Sequence, residues 1–201
     1  MAEEDRKTFF DRHAASWDKR FHDVGEHARL SQLVASFGLA VGNAVLDVGT
    51  GTGVLLPFLR EIIGWNGRLV AMDFSFKMLQ HAAERGQSAG AVLLNASVES
   101  IPFCSHQFDC VTCFAAFPHF PDKEKALLEM VRVLRPGGKV GIAHLKSAEE
   151  INRLHGHIGG AVACDHLPHA EALRLLMEKS GLTGISLINQ PGRFLAEGRK
   201  A

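Results

Sequence analysis

The sequence predicts an α/β protein, a parallel sheet covered on both faces by helices. Three observations carry this reading. Apolar runs alternate with helical patterns from about residue 44 onward. The runs are short and apolar throughout, as in strands buried on both faces. The first of them ends in a glycine-rich turn that leads directly into a helix. With 201 residues, 46% hydrophobic and 22% charged, the chain is expected to form one domain over residues 1–201 with its own core.

Two helical patterns, at about residues 4–19 and 26–37, precede the sheet and make residues 1–40 a cap. The core is expected over residues 41–146. Ala44–Gly49 is the first strand, and Val54–Ile63 the first helix, with Pro57 in the turn where a missing N–H costs little. Arg68–Asp73 is the second strand. Ser75 caps a helix through about Ser88, with Met78, Leu79, Ala82 and Ala83 on one face. Ala91–Asn95 and Phe108–Phe114 are the third and fourth strands. Asp122 opens a helix through about Leu134 that Pro136-Gly137-Gly138 stops, and Lys139–Leu145 is the fifth strand. A His/Gly-rich stretch follows, and residues 147–169 read as a lid with glycine hinges. Residues 170–201 close the chain with a helix to about Ser180 and two strands, 184–189 and 193–197. Their three-residue connection makes them antiparallel neighbours.

Charge and composition exclude several functions. Lys+Arg and Asp+Glu are both 22, so no surplus charge draws the chain to nucleic acid or an anionic membrane. The charged start Met1–Lys7 has no apolar stretch behind it, and no apolar run approaches ~18 residues, so neither a signal peptide nor a membrane span is expected. Cys110 and Cys113 have CxxC spacing but fall inside one strand on opposite faces, a poor disulfide. All four cysteines read as reduced, in a cytoplasmic protein. A homodimer is left open.

The sharpest motif is Val45-Leu46-Asp47-Val48-Gly49-Thr50-Gly51-Thr52-Gly53. Glycines at a strand-to-helix turn let a ligand approach the backbone at the carboxyl ends of the strands. Val54 stands where a dinucleotide fingerprint wants Gly or Ala, and the loop lacks the Lys-Ser/Thr of a P-loop. Asp47 would repel phosphate and attract a cation. The ligand is therefore expected to be nucleoside-like and positively charged. Asp73, twenty residues beyond Gly53 at the end of the second strand, is placed to accept hydrogen bonds from a ribose diol.

These residues, with Asp73–Leu79, Ser97–Phe103, Phe108–Val111 and Leu134–Gly138, resemble class I S-adenosylmethionine-dependent methyltransferases of the small-molecule, UbiE-like type. Five segments match in order, and Phe10–Asp18 is similar to the cap helix of that group. The resemblance implies a Rossmann-like three-layer sandwich whose seven-stranded sheet has its last strand antiparallel. It implies S-adenosylmethionine as cofactor, with Asp47, Gly49, Thr50, Gly51 and Gly53 at its methionine end. Asp73 would bind the ribose, Phe74 and Met78 would flank the adenine, and Ser97, Val98 and Phe114 would complete the wall. Ser97 stands where such proteins often carry an acid.

The implied reaction is in-line transfer of a methyl group to a small-molecule acceptor, for which alignment supplies most of the acceleration. A base is needed only where the acceptor loses a proton. His119 and His144, at the ends of the fourth and fifth strands, are the candidates. Trp17 and Phe21, with Phe9 and Phe10, could close the site from the first helix or belong to the core. His155-x-His157 and Cys164-x-His166 have spacings that suit Zn, Ni or Co, or else belong to the lid. Two alternatives stay open: a non-catalytic module that senses S-adenosylmethionine or metal, and a nucleotide-dependent oxidoreductase, which Val54 and Asp47 disfavour.

Overall fold

The structure, a computed structural model, describes residues 5–17 and 24–201, with Val24 described in its backbone only. Two helices come first, α1 (Arg6–Trp17) and α2 (Val24–Ser36). The strands are β1 (Ala44–Val48), β2 (Arg68–Asp73), β3 (Val92–Asn95), β4 (Phe108–Phe114), β5 (Leu134–His144), β6 (Leu182–Gln190) and β7 (Arg193–Lys200). Between them lie α3 (Leu56–Ile63), α4 (Phe76–Ser88), α5 (Lys123–Val133), α6 (Ala148–Ile158) and α7 (Ala170–Lys179).

The sheet has seven strands in the order β3-β2-β1-β4-β5-β7-β6. Strands β1 to β5 run parallel, and β7 runs antiparallel between β5 and β6. The order reverses at β1, which pairs β2 on one side and β4 on the other. In an open parallel sheet the ligand crevice opens at the carboxyl ends of the strands beside such a reversal.

Strand residues alternate between two apolar layers, as the two-residue period requires. Leu46, Val111, Cys113 and Ile142 face α5 and α7, packing on Leu127, Met130, Leu173 and Met177. Val45, Cys110 and Ala143 face α2 and α3, packing on Leu33, Phe37 and Leu59. Cys110 and Cys113 are thus on opposite faces, and all four cysteines are free thiols. Burial pushes the Cys110 and Cys113 thiols well up, Cys110 to about 12.

The expected caps form. Ser75 accepts from Met78 N–H and Asp122 from Lys125 N–H, and Pro57 sits in the first turn of α3. Several boundaries differ from expectation, and β6 and β7 each run longer than expected. The α3 helix starts at Leu56, after a run of turns. Strand β5 starts at Leu134 and runs through Pro136-Gly137-Gly138, because Leu134 already pairs with Phe108 before a bulge resets the register. The stretch expected as a lid begins with a helix, α6, whose first turn carries a capping box: Ser147 accepts from Glu150 N–H, and Glu150 reaches back to Ser147 N–H.

Candidate functional site

The loop after β1 folds back on β2. Gly49 and Thr50 donate their N–H groups to the Met72 carbonyl at 2.9 and 3.0 Å. Gly49 has φ +67°, and a Cβ there would lie 2.4 Å from Ala116 Cβ, so only glycine fits between this loop and the segment after β4. Gly51 (φ +56°) faces open space, its nearest neighbour being Trp17 Nε1 at 4.0 Å from where a Cβ would stand.

Two buried carboxylates lie beneath this loop. Asp47, 1% exposed, accepts a 2.7 Å hydrogen bond from the Thr112 hydroxyl of β4, its register partner. Burial pushes its carboxyl up to about 6 against that bond, and the charge of Asp73 adds to the rise. Asp73 accepts from Gly51 N–H and Ser75 N–H, both at 2.9 Å, one on each oxygen. Burial outweighs these bonds and places it also at about 6. Neither carboxylate makes an ion pair among the described residues.

A cavity of about 340 Å³ opens above them. Asp47, Gly49, Thr50, Gly51, Asp73, Phe74, Met78, Ser97, Val98, Phe114 and His119 all line it, as the sequence led us to expect. Gly53 does not: its positive φ (+77°) and its contact with Leu56 and Ala82 make it part of the turn's packing. The α1 helix roofs the cavity. Phe10 and Trp17 line it, while Phe9 is buried with Phe10, Ala14, Met78 and Val162 between α1 and α4. Phe21 lies outside the described residues.

The two histidines differ in kind. His144 is not on the cavity surface. It is 5% exposed, its Nε2 has no partner, and burial together with nearby His119 and His155 drives it down to about 3. Such a ring stays neutral and holds a proton poorly, so the expectation that it sits at the crevice fails. His119 follows β4 on a single helical turn, Phe117–His119, reached through Ala115, a non-glycine residue at φ +54°. Backbone strain of this kind is held in place by its surroundings and clusters at functional sites. The Lys123 ammonium pins the turn through the carbonyls of Pro118 and Phe120.

Sequence reasoning missed Asp165. It is 1% exposed and accepts from His119 Nδ1 at 2.7 Å and from Arg6 Nε and Nη2 at 2.9 and 2.5 Å. The histidines of the 147–169 segment do not converge. His155 points inward and donates from Nδ1 to the Asp165 carbonyl, whereas His157 is exposed and turns back to Arg153. Among the described residues no group of three or more His, Cys, Asp or Glu is placed to hold a metal ion.

The residues fit S-adenosylmethionine. That molecule brings positive charge and a ribose diol, and the site offers two buried acceptors without a cation. Thr50 lines the cavity at the same loop, and Gly51 presents bare backbone to it. A seven-stranded sheet with this crevice defines a class I S-adenosylmethionine-dependent methyltransferase.

The comparisons agree. Residues 46–142 match the family described as Methyltransferase domain. The ubiquinone/menaquinone biosynthesis C-methyltransferase UbiE of Enterobacter sp. (strain 638) is 31% identical over 179 residues, 76% of this chain and 71% of that one. The methyltransferase in the complex with the Haloferax volcanii Trm112 methyltransferase activator shares the fold at TM-score 0.77, with 22% identity and 98% of each chain covered. Haemonchus contortus phosphoethanolamine N-methyltransferase 2, solved with S-adenosyl-L-methionine, superposes at TM-score 0.75 with 22% identity over 92% of this chain and 44% of that one. The chain belongs to the UbiE-related methyltransferases and is an S-adenosylmethionine-dependent enzyme. No helix among its described residues is long and apolar enough to cross a membrane.

Proposed function

We propose that this enzyme is a cytoplasmic methyltransferase whose acceptor is a small, largely apolar molecule carrying an X–H group that must lose its proton. The observation that supports this most directly is the cavity's second wall. Phe10, Phe114 and Phe120 offer apolar surface beside His119, the one histidine on the cavity lining among the described residues. The UbiE relatives act in ubiquinone and menaquinone biosynthesis by their names, and an apolar ring acceptor suits such a wall.

Asp47, Asp73 and the Gly49–Gly51 backbone hold the cofactor, with Phe74 and Met78 beside its base and Ser97 and Val98 at the far edge. When bound, the cofactor would supply an activated methyl group on a sulfonium, to be taken by the acceptor's lone pair. His119 takes the acceptor's proton at Nε2 and returns it to water, so charge and atoms balance. The aromatic roof from α1 limits water at the reacting atoms.

The test is a screen of purified protein with methyl-labelled S-adenosylmethionine and panels of quinols, phenols, thiols, amines and nucleic acid. Labelled product and S-adenosylhomocysteine in equal amounts are expected with an apolar X–H acceptor. Transfer only to nucleic acid or protein would overturn the acceptor class. Cofactor binding with no transfer to any panel would favour a sensing module instead.

A further inference from the structure

We propose that seating α1 over the cofactor assembles the acceptor base, with Arg6, Asp165 and His155 as positioning residues that orient His119 Nε2 toward the cavity. This rests on His119 being the base proposed above, and adds what makes it one.

Four residues from three distant segments meet here. Arg6 begins α1, His119 follows β4, and His155 and Asp165 belong to α6 and the turns after it. The Asp165 carboxylate is filled from inside the protein. Its Oδ1 takes the two-pronged Arg6 guanidinium and its Oδ2 takes His119 Nδ1. Burial would raise this carboxyl, but the hydrogen bonds and charge of His119 and Arg6 outweigh it and hold it at about 2. A carboxylate can only accept, so the proton on the His119 ring sits at Nδ1. In the neutral ring Nε2 is then a free lone pair, the form a general base requires.

The ring plane is set as well. Phe10 meets the His119 ring edge-on at 4.9 Å between centroids, and the His155 ring lies 4.7 Å away on another side. His155 donates from Nδ1 to the Asp165 carbonyl at 2.6 Å, and Asp165 N–H bonds Val162 O at 3.0 Å, so Asp165 is anchored by backbone and side chain alike.

The coupling lies in α1. It supplies Arg6 and Phe10 to this cluster. The same helix carries Trp17 over Gly51, and Asp11, which accepts from the Ser75 hydroxyl at 2.5 Å at the start of α4. One rigid element thus closes the cofactor wall and completes the base. With α1 displaced, Asp165 loses its guanidinium and His119 its ring contact, and the hold on the tautomer weakens. A fastening that served only to hold α1 down would not need the carboxylate to end on the imidazole of a histidine that lines the cavity.

The test is ¹⁵N NMR of the histidine rings in the full chain, with and without S-adenosylhomocysteine, His119 being assigned by His119→Gln. Expected is the Nδ1–H tautomer in the wild type, lost in Asp165→Asn and weakened in Arg6→Gln, with partial recovery in Arg6→Lys. Thermal melts identify any variant that fails to fold, and Arg6→Gln then carries the test. Asp165→Asn is expected to leave S-adenosylhomocysteine affinity within about twofold, since Asp165 is not on the cofactor wall. With an acceptor in hand it is expected to lower kcat on the order of 10²-fold or more with KM for the cofactor unchanged. An Nε2–H tautomer in the wild type, or one that ignores both substitutions, overturns the inference. Failure of the wild type to bind S-adenosylhomocysteine would count against the preceding proposal, and the tautomer would still decide this one.

Discussion

Asp47 and Asp73, on the wall proposed to hold the cofactor, and Asp165, behind the wall proposed to hold the acceptor, are all nearly absent from the surface, yet they sit at opposite ends of the carboxylate range. The first two are pushed up by burial to about 6 because, among the described residues, backbone N–H groups and hydroxyls bond them but no cation pairs with them. The third is held at about 2 because His119 and Arg6 donate hydrogen bonds to it and the guanidinium adds its charge. Burial therefore does not tell a ligand-binding carboxylate from a positioning one; the partners do. An acid left incomplete by the protein is waiting for a ligand, whereas one already completed is part of the frame.

Gly49 is where the two walls touch, and its substitution is the harshest way to break the comparison. Gly49→Ala sets a side chain on a left-handed backbone and against Ala116 Cβ. It is expected to cost about 3 kcal/mol of stability and to close the cavity, measured by urea unfolding and calorimetry with S-adenosylhomocysteine. Unchanged stability and affinity would mean the loop and the segment after β4 do not meet as described.

Asp73→Ala is next. Losing the charge-assisted bonds to the cofactor is expected to weaken S-adenosylhomocysteine binding by about 1–3 kcal/mol. Asp165→Asn gives the contrast, a variant with affinity kept. Equal losses in both would erase the distinction between the walls.

His144 sharpens the picture from behind the acceptor wall. Its folded value of about 3 lies below that of a free histidine, so protons favour the unfolded chain as pH falls below about 6.5. His144→Leu is expected to gain about 2 kcal/mol relative to wild type at pH 5 that it does not gain at pH 7.5. The same difference at both pH values would place a charged ring there.

The smallest effect separates the carboxylates by pH. In the ligand-free fold Asp47 and Asp73 keep their protons up to about pH 6. Their contribution to stability is therefore full below about pH 4 and lost as pH rises through 6. A ligand that brings an ammonium group and a ribose diol to these acids favours their ionised forms. For each acid that ionises on binding, affinity for S-adenosylhomocysteine is expected to rise about tenfold from pH 5 to 7 and level off above, with proton release seen in calorimetry across buffers of different ionisation heat. A flat profile would mean that neither acid titrates on binding.

Much of this was legible beforehand, and the reasons are local. Strand and helix periodicity placed β1 to β5, and Ser75 and Asp122 announced their helices as N-caps do. The α6 helix was legible but unread: Ser147-Ala148-Glu149-Glu150 is a capping box, and Ile151 and His155 fall on its buried face. Its histidine content drew the eye to metal chemistry, and the helix turns those side chains different ways.

The cofactor wall could be read from the chain because it is made of neighbours: a glycine turn, the residue two before it, and the next strand's end are joined by backbone geometry that any strand–turn–helix unit repeats. No such pattern joins Arg6, His119, His155 and Asp165. Arg6 and Asp165 are separated by 159 positions, and the bond between them exists because α1 and the turn after α6 pack on the same edge of the crevice. Likewise β4 leads to His119 and β5 ends at His144, but only the packing of the layers buries the second ring while leaving His119 at the cavity. Short-range stereochemistry writes the first kind of site into the sequence; the second depends on which distant surfaces burial of apolar area brings together.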